Sequence, residues 1–342
     1  MAGVLEMTYI GDLVENKRFL IFAPKCATVE KVLKIMAENE ITAIPVASSP
    51  EQQASMEGTT FFEGSSHFIG IVSMLDVVLH IGDNLDDCKN ALQTPVSDLI
   101  GQTIESRALW TAGPHVKLID GMECMSKGIH RFLVPIHEHN DEPSPHEATQ
   151  FRLLTQTDVV SFILEHIDEM GPCVSRTIAD LGLLHPNMAA LSVPSNIALS
   201  SALRLMHRKP AFSSFAVVEA PREEDMDSSQ EQQMGVTGGK LVGSLSVNCF
   251  RGMGVEELSW SLRPEMTVAG FLKMSAEKGF SRPLVRVRPT TPLGTAMAEA
   301  ITNKVHRVWV TDEDGWLLGV VSFTDIISAA RRGPTSFVHQ QR

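Results

Sequence analysis

Apolar and polar positions along the chain follow a pattern that recurs four times. Val29, Val32, Leu33 and Met36 are spaced by three and four residues, and so are Leu118, Met122 and Met125, then Leu199, Ala202, Leu203 and Met206, then Leu293, Ala296, Met297 and Ala300. That spacing puts one apolar stripe on a helix, so each stretch predicts a helix with a single buried face. Pro24, Pro114, Pro194 and Pro289 each stand shortly before one of these stretches. Proline favours an extended residue before it and suits a turn into a helix. A short apolar run follows each helix, at Ile44 to Ala47, Phe132 to Ile136, Phe215 to Val218 and Val308 to Val310, and predicts a strand.

The ends of the repeats carry a second pattern. FIGIVSMLDVVLHI from Phe68, QFRLLTQTDVVSFI from Gln150, LVGSLSVNCFRGMG from Leu241 and LLGVVSFTDIISAA from Leu317 stack without gaps. The stacking aligns Ser73, Thr155, Ser246 and Ser322 in one column and Asp76, Asp158, Cys249 and Asp325 in another. A repeat unit is then about 80 residues of β-α-β-β-α, the scale of stacked arrays. Asp12-Leu13, Asp98-Leu99 and Asp180-Leu181 head the first three units, and Ala269-Gly270-Phe271-Leu272 heads the fourth. The units are therefore bounded at 9–82, 94–168, 176–256 and 264–332. Polar insertions fall at one place in each unit, at Ser48 to His67, His137 to Gln150, Glu219 to Lys240 and Thr311 to Gly315, and read as hairpin loops of unequal length. Within them the acid-rich stretch from Glu219 to Glu231 reads as a solvated loop rather than a docking surface.

Composition narrows the function. The 342 residues are 43% hydrophobic and 20% charged, ordinary for a folded chain long enough for a substantial core. A formal charge of -12 excludes the basic footprint that grips nucleic acid, so any phosphate site must be local. No apolar run reaches the length of a membrane span. The opening MAGVLEMTYI has neither the basic nor the apolar part of a secretory signal, and Gly3 lies one place too late for myristoylation. Cys26, Cys88, Cys124, Cys173 and Cys249 are odd in number and include no C-x-x-C pair, which fits neither a disulfide framework nor a zinc site. A reducing compartment, cytoplasmic or nuclear, is expected, and no metal site.

Two columns carry chemistry. A Ser or Thr at a turn followed three residues later by an acid in the first turn of a helix is a capping arrangement. The same carboxylate offers acceptor sites on both oxygens, enough for the two hydroxyls of a ribose. The other column is His130-Arg131 and His306-Arg307, at the junction of a unit's first helix and second strand. Cations there complement the helix dipole, and arginine and histidine also suit phosphate. Thr42-Ala43 and Ser213-Ser214 occupy the same place in the odd units.

The pattern of glycine, two aliphatics, Ser or Thr, two variable residues and Asp resembles the cystathionine-β-synthase (CBS) domain. IHRFLVP from Ile129 and VHRVWV from Val305 resemble segments of the γ regulatory subunits of AMP-activated and related protein kinases. GDLVENKRFL, MSKGIHRFLVP and HRVWVTDEDGWLLGVVSFTDII are similar to the plant γ-like (sucrose-non-fermenting-4-like) proteins with four CBS units. The resemblance runs from about Gly11 to Arg332, leaving no separate catalytic domain. It implies an α/β fold of four tandem CBS domains, paired into two modules that form a disc with adenosyl ligands in its clefts.

By the same resemblance Asp76, Asp158 and Asp325 are ribose-binding acids with Ser73, Thr155 and Ser322 beside them, and His130, Arg131, His306 and Arg307 face phosphates. The implied working clefts combine Asp76 with His130-Arg131 and Asp325 with His306-Arg307. Cys249 replaces the third acid by a thiol, a weak acceptor, which gives the third unit a structural role. Arg152 replaces the glycine of the second unit and is expected either to close a cleft or to add a phosphate contact. The leading expectation is a non-catalytic regulatory subunit or energy sensor that binds AMP, ADP, ATP or another adenosyl compound, with protein kinase catalytic and scaffold subunits as partners. The alternative is an interaction scaffold with decayed clefts. An enzyme is disfavoured, since no activated nucleophile or paired acids with metal ligands stand out.

Overall fold

The computed structural model describes residues 3–48, 61–63, 68–103, 109–136, 150–184, 192–208, 214–219 and 239–332. Most of the three long insertions, including the acidic stretch after Glu219, lies outside them. The four striped helices are Val29–Glu38, Leu118–Met125, Leu199–Arg208 and Leu293–Thr302. Each follows a short first strand: Ala23–Pro24, Trp110–Ala112, Ser192–Pro194 or Arg286–Val287. The apolar runs form Ala43–Ala47, Arg131–Ile136, Ser214–Val218 and Arg307–Thr311, and the repeated motif supplies Phe68–Ser73, Gln150–Thr155, Leu241–Ser246 and Leu317–Ser322. In every unit the second strand lies between the other two, parallel to the first and antiparallel to the third. Helices Met74–Asp83, Gln156–Glu165 and Phe323–Arg332 close the first, second and fourth units.

Two elements depart from the sequence reading. Part of the first insertion is not loop, because Phe61–Glu63 pairs antiparallel with Trp110–Ala112 and extends the second unit's sheet to four strands. An edge strand offers unpaired backbone groups that such a segment satisfies. In the third unit the closing helix is broken into a 3-10 turn at Val247–Phe250 and a helix at Val255–Ser261. Gly252 between them has φ 81°, a conformation that favours glycine and ends a helix.

The apolar strands lack alternation because both faces of each sheet are covered. On the helix side, units one and three share a core that includes Val32, Met36, Val77 and Ile81 with Leu203, Phe215 and Phe250. Units two and four share another, with Leu118, Phe132 and Val160 against Met297, Val308 and Ile326. On the opposite faces, Ala43, Phe68 and Ile71 meet Leu133 and Phe151, while Ala216 and Leu241 meet Trp309. Units one and two, and units three and four, are thus joined through sheets, and the two resulting modules meet through helices to close a disc.

The head segments cross over within each module. Ile10 and Val14, at the head of the first unit, are buried in the core of units two and four, whereas Val96 and Leu99, heading the second, are buried in the core of units one and three. Ile178 and Leu181 exchange likewise with Val268 and Phe271. The backbone repeats the exchange four times: Ile10 N–H donates to Val116 O at 2.8 Å, Val96 to Ala27 at 2.7 Å, Ile178 to Thr291 at 3.0 Å and Val268 to Ile197 at 2.9 Å.

This exchange accounts for the glycine of the repeated motif. A Cβ at Gly70 would lie 2.6 Å from Ile100 Cγ2, one at Gly243 2.7 Å from Leu272 Cδ1, and one at Gly319 3.2 Å from Leu184 Cδ2. Each neighbour belongs to the sister unit's head. The glycine is there for space, and the second unit, with Arg152, must receive its sister's head differently.

Candidate functional site

The turn that carries the acid is built alike in three units. Ser73 donates its N–H and Oγ–H to Asp76 Oδ2 at 2.8 and 2.6 Å, and Ser73 Oγ accepts the Asp76 N–H at 3.3 Å. Ser322 treats Asp325 the same way, at 2.8, 2.6 and 3.4 Å. Thr155 donates N–H and Oγ1–H to Asp158 Oδ2, both at 2.7 Å. The capping role therefore exists in the structure and draws on Oδ2, while a carboxylate has a second oxygen with acceptor sites of its own. Solvent access separates the three: Asp76 is 0% exposed, whereas Asp158 and Asp325 are half-buried. In the third unit Cys249 Sγ receives the Ser246 N–H at 3.5 Å and points to Ser244 O at 3.6 Å. Burial pushes this thiol's pKa up, so position 249 carries no charge at neutral pH.

The acid column and the His-Arg column meet within each unit. Arg131 stands directly across the ladder from Thr155, and Arg307 from Ser322. The histidine carbonyls then fix the acid-bearing helix, since Gln156 N–H donates to His130 O and Phe323 N–H to His306 O, both at 3.1 Å. Met74 N–H makes the equivalent bond to Thr42 O at 2.7 Å in the first unit. The buried Gln156 side chain donates to Met125 O at 3.2 Å, Ile129 O at 3.3 Å and Thr324 Oγ1 at 3.0 Å, tying the second unit's turn to the fourth's. The local geometry thus sets His130-Arg131 beside Asp158 and His306-Arg307 beside Asp325.

Charge gathers where these pairs face each other. His306 keeps solvent access, yet protein crowds it on most sides. Burial, then the fields of Arg307, Arg251, Arg131 and His130, push its pKa down to about 4. Burial lowers Arg307 to about 10 against the opposing pull of Asp325, which leaves it charged at neutral pH. Arg251, from the third unit, belongs to this cluster and was not anticipated; it bonds Asn248 Oδ1 at 3.2 Å, and burial and Arg282 lower its pKa while Glu40 raises it. Five basic side chains from three units therefore share one region of a chain whose net charge is -12.

The depressed pKa of His306 makes stability depend on pH in the acid range. Its folded pKa lies below the ordinary value of 6.5, so as pH falls from about 6.5 toward 4 the unfolded chain takes up a proton that the folded chain refuses. Stability is expected to fall through that window and level off below it. His306→Gln, which cannot titrate, should flatten that part of a urea-midpoint profile against pH, and an unchanged slope would place the acid sensitivity elsewhere.

Arg152 lies against the head of the first unit. Its guanidinium donates to the carbonyls of Val14, at 3.1 Å, and Glu15, and sits 5.2 Å from the centroid of the Phe19 ring. It thus holds the sister head by its carbonyls where the other units hold theirs against a glycine. A second unanticipated cation, Lys17, bonds Asp158 Oδ2 at 2.6 Å. Two recesses of about 590 and 670 Å³ lie away from these groups, one lined by Ser195, Val242 and Leu272 and the other by Ile167, Pro172 and Thr295.

Comparisons with known proteins agree with this architecture. The profile of the CBS domain matches residues 278–332. Two Arabidopsis thaliana proteins, the SNF1-related protein kinase regulatory subunits gamma-like PV42a and PV42b, are each 32% identical over 341 and 344 residues, and 94% of this chain and 94% of each relative are covered. The crystal structure of MJ1225 from Methanocaldococcus jannaschii, presented as an archaeal homolog of g-AMPK, covers 94% of this chain and 99% of its own with a TM-score of 0.64 at 17% identity, a likeness of fold. With its four CBS units in place and full-length relatives of this kind, the chain belongs to the family of SNF1-related protein kinase gamma-like regulatory subunits.

Proposed function

We propose that this chain is a non-catalytic regulatory subunit that binds an adenine nucleotide in the cleft of its fourth unit and conveys occupancy to a protein kinase. The carrying observation is the junction at Asp325: an accessible acid, on a helix turn hydrogen-bonded to His306 and across from Arg307, beside a cluster of further cations. Ribose hydroxyls suit the carboxylate, and phosphates suit the guanidinium groups. Regulation of a kinase is supported by the names of the two Arabidopsis relatives. A signal arises only if AMP, ADP or ATP binds two states of the assembly with different affinity.

The same geometry supports a small number of occupied clefts. Asp76 is sealed, Asp158 carries Lys17 and position 249 is a thiol, so one nucleotide per chain is expected. That count also gives the scaffold reading its weight, since only one acid separates it from a nucleotide-binding subunit.

The deciding experiment is titration of the chain with AMP, ADP, ATP and S-adenosylmethionine, followed by Asp325→Asn. Asparagine keeps an acceptor for the Ser322 N–H and loses the charge. Affinity should fall by ~1.5–3 kcal/mol, one charge-assisted bond, alongside a lower melting temperature from the lost attraction to Arg307. Unchanged affinity with lower stability would make Asp325 a cap alone, and silence toward all four compounds would favour the scaffold.

A further inference from the structure

We propose that Lys17 closes the second unit's cleft, serving as an internal cation that competes with an adenosyl ligand for Asp158. The inference builds on the nucleotide-binding reading of the fold and goes beyond it in assigning a residue that holds one cleft shut. Asp158 Oδ2 accepts three donors at once: Thr155 N–H and Oγ1–H, both at 2.7 Å, and Lys17 Nζ at 2.6 Å. The two threonine donors already fill the lone-pair sites of Oδ2, so Lys17 is a third donor on that oxygen, and its charge neutralises the carboxylate whose Oδ1 would otherwise accept a ribose hydroxyl. The ammonium is the one that can leave, because the threonine groups are fixed by the turn itself.

The placement of Lys17 is built rather than incidental. The segment from Val14 to Leu20 is fastened to the second unit on both sides of it. Before Lys17, Arg152 donates to the Val14 and Glu15 carbonyls. After it, the Arg152 guanidinium lies over Phe19, and Leu20 N–H donates to Phe151 O at 2.7 Å. Lys17 N–H to Val14 O, at 3.0 Å, turns the segment between the two fastenings. Arg152 is peculiar to this cleft, and Lys17 has no lysine counterpart in the sister head. Arg152 stands where the other three units have glycine, and Thr103 stands at the place in the second unit's head that Lys17 holds in the first. The lysine and aspartate side chains are 31% and 23% exposed, which keeps their attraction weak enough to be reversible. The cleft is therefore held shut by a contact that a ligand, or a partner drawing Lys17 away, can undo.

Isothermal titration with AMP at one fixed salt concentration tests this on the full chain. Lys17→Met should bind one more AMP per chain than the unaltered protein, with at least a roughly tenfold gain at the new site, the size of one charge-assisted bond. Adding Asp158→Asn to Lys17→Met should return the count to its starting value. Lys17→Gln, equally neutral, should match Lys17→Met and guards against an effect of the methionine side chain. A Lys17→Met protein that binds no more AMP than the unaltered chain overturns the proposal, and one that binds it more weakly makes Lys17 a ligand for phosphate instead. The parent reading is decided separately, by whether the unaltered chain binds AMP through Asp325.

Discussion

A chain carrying Arg131→Ala and Arg307→Ala together is expected to lose ~3–6 kcal/mol of AMP affinity, two charge-assisted contacts of ~1.5–3 kcal/mol each, or roughly a hundredfold to a ten-thousandfold. The electrostatics explain the size. A net charge of -12 repels a nucleotide at long range, so affinity must come from a local concentration of fixed cations. His306 is neutral at physiological pH, because its pKa is held near 4. Arg307 stays protonated even with its pKa lowered to about 10, and its planar fork matches two phosphate oxygens. Adenosine, which lacks the phosphate, supplies the control: its affinity should hardly change. Equal loss for AMP and adenosine would point to damage at the Thr155 and Ser322 turns, which these arginines face across the ladder. Unchanged AMP binding would remove the arginines from the site. If the two contacts are independent, the single variants should each show about half the loss, and a departure from additivity would report that both hold one phosphate.

The repeats and the element order were legible because helix stripes at Val29, Leu118, Leu199 and Leu293 and the stacked Asp columns are local patterns, set by the period of a helix and the chemistry of a cap. Which neighbour a buried face meets is not local. Nothing in the spacing of Ile10 and Val14 says that they serve the second unit rather than the first, and so the exchange of heads, and the need for Gly70, Gly243 and Gly319 that follows from it, appeared only in three dimensions. Phe61–Glu63 was hidden because its partner strand lies in another unit. Arg251 did leave a trace. The aligned positions in the other units are Val78, Val160 and Ile327, all buried, so a charged residue there marks a helix that cannot continue as its sisters do. Lys17 left less, since only the fold brings it across 141 residues of sequence to Asp158.

Trp309→Ala should give the largest loss of stability, ~3–5 kcal/mol, the range for truncating a fully buried aromatic. Trp309 is 2% exposed and occupies the centre of strand Arg307–Thr311. Strand alternation sends Val308 and Val310 into the core shared with the second unit and turns Trp309 the other way, against Ala216 and Leu241 of the third. A large side chain there faces a small one, and no nearby residue of comparable volume can refill the space, so truncation leaves a cavity between the two sheets. Trp316→Ala is the matched control, because that ring is 48% exposed and its loss should stay within about 0.5 kcal/mol. In urea the Trp309 variant should show a lower midpoint at an unchanged slope, and a midpoint equal to that of the control would show that the sheet contact contributes little. The consequence reaches the cleft as well. Arg307 lies two residues away on the same strand and faces Ser322, whose turn holds Asp325. A loosened strand therefore misplaces both the guanidinium and the acid, so the variant should also bind AMP more weakly. By this route the third unit, which has a thiol in place of the acid, would still support the proposed nucleotide binding through the face it presents to Trp309.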